Sequence, residues 1–136
     1  SAKGWVQILK LVKAMHEIDY VHGDLLPQNV LFGGFGEGYL IDFDLSRKVG
    51  SGYVSGYNYE PFSSTRHRNA RAGEAMEKEH DIHSLREMSK MLFDCESLDL
   101  NSYSIDNLID TFQSNSFSPR VSVEDGDTEA SGSPQR

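Results

Sequence analysis

The chain has one cysteine, Cys95, in 136 residues, so no disulfide can form within it. It has no apolar run near the roughly 18 residues that a spanning helix needs, and no charged-then-apolar leader at its start. It has no basic excess: 13 Lys and Arg stand against 21 Asp and Glu, a formal net charge of −8. General nucleic-acid binders usually carry the opposite sign, so nucleic acid is not an expected partner. It has no initiator Met and opens already inside a helical pattern, which reads as a fragment of something longer. These absences suit a reducing compartment, and an intracellular, cytoplasmic location with no membrane segment is the expectation. They do not indicate an oligomeric state.

What is present suffices for one domain with a modest core, since 38% of residues are hydrophobic and 25% charged. Trp5, Ile8, Leu9, Val12 and Met15 recur at helical spacing, which predicts an amphipathic helix over 4–18. Tyr20–His22 reads as a very short strand. Residues 29–32 and 38–43 are strand-like and flank "GGFGEG". That cluster fails G-x-G-x-x-G, because Tyr39 stands three after Gly36, and it opens no helix. A hairpin turn using glycine's positive φ is the better reading. Residues 46–73 are rich in Gly, Ser, Tyr and Arg without periodicity. They read as a long irregular loop, a kind that is more often functional or mobile than inert. "GSGYVSG" within it follows no strong strand and is discounted. Ile82, Leu85, Met88, Leu92 and Phe93 put one broad apolar face on a helix over 80–93. Ser104 is a candidate N-cap for a shorter helix bearing Ile105, Leu108, Ile109 and Phe112. From Ser114 the composition turns polar, acidic and Ser-rich, which predicts a disordered tail over 114–136.

The chemistry concentrates in "HGDLLPQN", His22–Asn29, and in "LIDFD" downstream. Asn29 begins the first strand of the expected hairpin and Asp42 ends the second. Pairing therefore brings both to one edge. A carboxylate beside a carboxamide suits Mg²⁺, a hard cation that shares oxygen ligands with phosphate and water. Asp24, on the adjacent loop, is placed to orient a hydroxyl and accept its proton during phosphoryl transfer. The plainer alternative is a turn with Asp and Asn in ordinary loop roles.

Agreement among neighbouring motifs favours the chemical reading. "MHEIDYVHGDLLPQNVLF" is similar to the end of a long helix and the catalytic loop, H-R-D-L-x-P-x-N, of the protein kinase superfamily. "LIDFDLS" stands where that family has D-F-G, with Asp42 18 residues after Asp24. "HDIHSL" resembles D-x-W-S-L, with Asp81 39 residues after Asp42. The resemblance covers residues 4–113. It implies an α+β fold: a mainly helical protein-kinase-like C-terminal lobe over 1–113, with a short catalytic β-hairpin and the N-lobe absent. It implies Asp24 as catalytic base, Asn29 and Asp42 as Mg²⁺ ligands at the ATP phosphates, and Leu31 beneath adenine. His22, Phe43 and Asp81 would be structural supports of the site. ATP and Mg²⁺ are the implied cofactors. The implied activity is a serine/threonine protein kinase acting on a protein substrate, with this chain alone inactive.

Several positions depart from that pattern. Gly23 replaces an Arg that pairs with activation-loop phosphate, so switching by loop phosphorylation is not expected. Leu26 replaces a Lys that contacts the transferring phosphoryl group. Asp44 replaces the Gly of D-F-G, and "YEPF" at 59–62 is a poor A-P-E. The combination of "HGD", "LIDFDL" and "HDIHSL" is most similar to divergent, fungal-type protein kinases. Two alternatives stay open: a pseudokinase acting as a binding module, and a small-molecule kinase of the aminoglycoside phosphotransferase or choline kinase type, against which the long interval to "HDIHSL" weighs. Arg66, Arg68 and Arg71 read first as a solvated loop, and otherwise as a contact for an acidic substrate or phosphate. His80 and His83 read as helix-surface or packing residues rather than a metal site.

Overall fold

The computed structural model describes residues 2–53 and 65–120. The "YEPF" segment and residues 121–136 lie outside them. The described residues form a small α+β domain of helices and two antiparallel strand pairs.

Helix α1 spans Lys3–Glu17 and buries Trp5, Ile8, Leu9 and Val12, as their spacing requires. His16 continues that buried stripe, whereas Met15 is half-buried. The helix ends where Asp19 turns to φ 63°, a conformation Asp tolerates better than most residues. Strand β1 (Tyr20–Val21) follows and pairs with β4 (Arg47–Lys48), Val21 opposite Arg47. Strand β4 lies in the segment expected to be irregular.

The expected hairpin is present with shorter strands, β2 (Val30–Phe32) and β3 (Gly38–Leu40). Val30 faces Leu40 and Phe32 faces Gly38. Its turn closes with Gly33 N–H donating to Glu37 O at 2.8 Å, and Gly36 takes φ 84°. Helix α1 lies directly on this hairpin. A Cβ on Gly38 would stand 2.1 Å from the Gly4 carbonyl oxygen, so only glycine permits the approach.

Helix α2 spans Lys78–Leu92 and α3 spans Ile105–Ser114. Ser104 caps α3 through a capping box: its Oγ accepts from Asn107 N–H, and Asn107 Oδ1 accepts from Ser104 N–H, each at 3.1 Å. One core cluster joins α1, the hairpin, α2 and α3 through Trp5, Leu9, Val30, Leu40, Leu85, Met88, Leu108 and Phe112. Each such side chain contributes roughly 1.5–3 kcal/mol by leaving water. Trp5 Nε1 donates to Ser89 Oγ at 2.9 Å, and that hydroxyl donates to Leu85 O at 2.8 Å. The buried indole N–H is therefore satisfied. A second, smaller cluster of Val21, Tyr53, Ala70 and Met76 lies beside β1.

Helix α2 buries more than the expected apolar face. His80, Asp81, Ser84 and Ser89 are buried too, and each has a partner. His80 Nδ1 meets Tyr53 Oη at 2.9 Å, Ser84 Oγ donates to Thr65 O, and Asp81 serves the site described below. Past α3 the chain stays on the domain as far as Arg120. Phe117 packs against Phe112 at 5.1 Å, and Arg120 Nε donates to Lys90 O at 2.8 Å. Among the described residues no helix is long and apolar enough to cross a membrane.

Candidate active site

The His22–Asn29 loop runs from β1 into a 3₁₀ turn, Pro27–Asn29, that leads into β2. Proline suits the start of that turn because its fixed φ fits and no N–H is wasted. From below, α2 holds the loop through one carboxylate. Asp81, 2% exposed, accepts His22 N–H at Oδ2 (2.8 Å) and Gly23 N–H at Oδ1 (3.1 Å). His16 Nε2 also lies 2.9 Å from Oδ2. A buried carboxylate is tolerated only with such donors.

Gly23 takes φ 87°, and a Cβ there would stand 2.5 Å from Met76 Cε and 3.1 Å from Leu45 O. Glycine at this position is thus required by the backbone that delivers adjacent amides to Asp81.

His22 is fully buried and links the loop to the segment carrying Asp42. Its Nδ1 accepts Asp24 N–H at 3.1 Å, and its Nε2 donates to Ile41 O at 3.2 Å. That pair of bonds requires a neutral ring protonated at Nε2. Burial pushes the imidazole below its ordinary value, in keeping with this. Phe43 meets the ring edge-on at 4.9 Å.

Asp24 is held from both sides. Asn29 Nδ2 donates to its carbonyl oxygen at 2.8 Å and to Oδ2 at 3.3 Å. Arg66 Nη2 donates to Oδ1 at 2.6 Å, and Arg66 Nη1 donates to Gly23 O at 3.3 Å. The Arg66 and Asp24 side chains are only 8% and 12% exposed. Arg68 and Arg71 are exposed, so the solvated-loop reading describes them and not Arg66.

Asn29 O accepts Ile41 N–H at 2.9 Å, one step beyond the Val30–Leu40 pair. Asn29 and Asp42 therefore stand at one end of the hairpin. Asp42 is exposed, takes φ 61°, and accepts Asp44 N–H at Oδ1 (3.3 Å). Leu31, 47% exposed, sits on β2 opposite Tyr39. The structure thus brings together His22, Asp24, Asn29, Phe43 and Asp81. Asp42 joins them through the hairpin end, and Leu31 lies outside the cluster.

Among the described residues no group of three or more His, Cys, Asp or Glu is arranged to hold a metal ion. Asn29 and Asp42 offer hard oxygens only. Because Nδ2 of Asn29 is committed to Asp24, its Oδ1 is the atom left to meet a cation.

His16 was not among the expected site residues, and Arg66 was weighed there only as the second reading, a contact for an acidic substrate or phosphate. His16 had a signal: it falls four after Val12 on the buried stripe of α1. Arg66 had a fainter one. Residues 20–46 carry Asp24, Glu37, Asp42 and Asp44 and no Lys or Arg, so any cation here must come from another segment.

A helical bed, a tied loop bearing Asp and Asn, and a hairpin bearing a second Asp define a kinase-like arrangement. The model of the "Lipopolysaccharide kinase (Kdo/WaaP) family" matches residues 2–51. This is a kinase-like family within the broader protein-kinase-like superfamily. The match takes in α1, the His22–Asn29 loop, the hairpin and Asp42, and stops before Arg66 and Asp81. No curated protein matches the chain, and no solved structure does. The match corrects the expectation of a serine/threonine protein kinase with a protein substrate. The family is one of sugar kinases, which agrees better with the small-molecule-kinase alternative.

Proposed function

We propose that the protein transfers the γ-phosphoryl group of ATP to a sugar hydroxyl. The observation that carries this reading is the coincidence of the family match with the loop that the fold organises around Asp24. In it the described residues make up a kinase-like C-terminal lobe, with residues 1–113 as the unit. The acceptor hydroxyl gives its proton to Asp24 as its oxygen bonds to the γ-phosphorus. The bond from that phosphorus to the departing ADP oxygen then breaks. Asn29 Oδ1 and the Asp42 carboxylate are the residues that would hold Mg²⁺. Their oxygen donors fit that ion, which when bound neutralises phosphate charge.

His22, Phe43 and Asp81 keep Asp24 and Asp42 in register, and Leu31 offers an apolar surface to adenine. Most of the rate then comes from positioning and charge. Thermal-shift titration of the full-length protein with ATP and Mg²⁺ tests the nucleotide half of this proposal. The melting temperature should rise with MgATP, and Asp42→Ala should remove most of the rise. No shift in the unmutated protein would sink the proposal.

A further inference from the structure

We infer that Arg66 is a positioning residue for this transfer: it clamps Asp24, a tie for which the loop and hairpin have no Lys or Arg of their own. The inference rests on the proposed phosphoryl transfer. Residues 20–46 contain no Lys or Arg, and position 26, two after Asp24, is a buried leucine. The neighbouring Arg47 directs Nη1 at the Asp44 and Ser46 carbonyls, at 2.9 and 2.8 Å. Arg66 reaches in from 42 residues away in the chain and binds the loop at two points, the Asp24 carboxylate and the Gly23 carbonyl.

Its root is fixed as well. Thr65 is buried with its carbonyl bonded by Ser84 of α2, and Ala70 is buried in the cluster beside β1. An ion pair this enclosed constrains geometry in a way that an exposed one does not. With Oδ1 of Asp24 on Arg66 at 2.6 Å, Oδ2 has, among the described residues, the longer 3.3 Å contact to Asn29. Oδ2 is therefore the oxygen turned to the acceptor proton.

The test measures ADP release by the full-length protein with MgATP and water as acceptor, alongside ATP binding. Arg66→Met should lower kcat about 100-fold, with KM for ATP within about twofold. Arg66→Lys should recover about tenfold of that loss, because charge returns without the two-point fork. In an Asp24→Asn background, Arg66→Met should cost less than about threefold, since both act through one carboxylate. A purely structural role would lower the melting temperature without this non-additivity. Should Arg66→Met lose cooperative unfolding, Arg66→Gln carries the same expectation. Unchanged or faster ADP release in the variant, or a full loss in the Asp24→Asn background, would overturn the inference alone. No ATP binding and no ADP release by the unmutated protein would overturn it together with the proposed function.

Discussion

The two halves of the site are built differently. The His22–Asn29 loop is fastened by buried side chains: Asp81 on the amides of His22 and Gly23, Asn29 and Arg66 on Asp24. The hairpin side is open. Leu31, Tyr39, Ile41 and Phe43 are each 39% exposed or more, and Asp42 is exposed. The geometry around Asp24 is thus set by the fold itself. The hairpin side, where the proposal puts the nucleotide, presents apolar and acidic groups on short strands. Substitutions in the loop should therefore cost stability and activity together, and those on the hairpin should separate the two.

The largest effect expected is at Asp81. Asp81→Ala leaves buried donors without their acceptor and should cost about 4 kcal/mol in urea unfolding. A loss under 1 kcal/mol would mean that the loop is not held from α2. Gly23→Ala comes next. A left-handed φ together with the contact on Met76 and Leu45 should cost about 2–3 kcal/mol.

A pH dependence follows from His22. Burial lowers its pKa in the folded state, so the unfolded chain binds more protons below about 6.5. Stability is fully present above that pH, falls as the pH drops through it, and levels off below the lower folded value. Urea midpoints measured from pH 7.5 to 5 should show this fall. His22→Asn should reduce the slope without abolishing it, because burial lowers His80 and His83 as well. Leu31→Ala should show the smallest stability change, within about 0.5 kcal/mol, while weakening MgATP binding. If it unfolds the domain instead, the contrast between the halves fails.

Much of this was legible in the sequence. The periodicity of α1 and α2, the Ser104 cap and the glycine-rich hairpin turn follow from local rules, and the structure keeps them within a few residues. The Asp24, Asn29, Asp42 and Asp81 spacing identified the segments that meet. What escaped depends on long-range contact. Strand β4 is two residues with no pattern of its own and exists because β1 lies beside it. The buried polar side chains of α2 break its apolar periodicity and make sense only once Thr65, Tyr53 and the loop amides are in place. Arg66 lies in a segment whose composition reads as solvated. The chain over 115–120 looks like tail, yet Phe117 and Arg120 bind the core and the end of α2. The acceptor was misjudged for another reason: the motifs describe phosphoryl transfer, and the long interval from Asp42 to "HDIHSL", taken to weigh against a small-molecule kinase, does not select the hydroxyl.

The most direct measurement is acceptor-dependent ADP release by the full-length protein with MgATP, compared across free sugars, saccharide-bearing lipids and protein acceptors, for the native sequence and Asp24→Asn. Release should be stimulated by a saccharide and should fall about 10³-fold in Asp24→Asn. Stimulation by protein acceptors alone, or saccharide-stimulated release that survives Asp24→Asn, would contradict the proposed function.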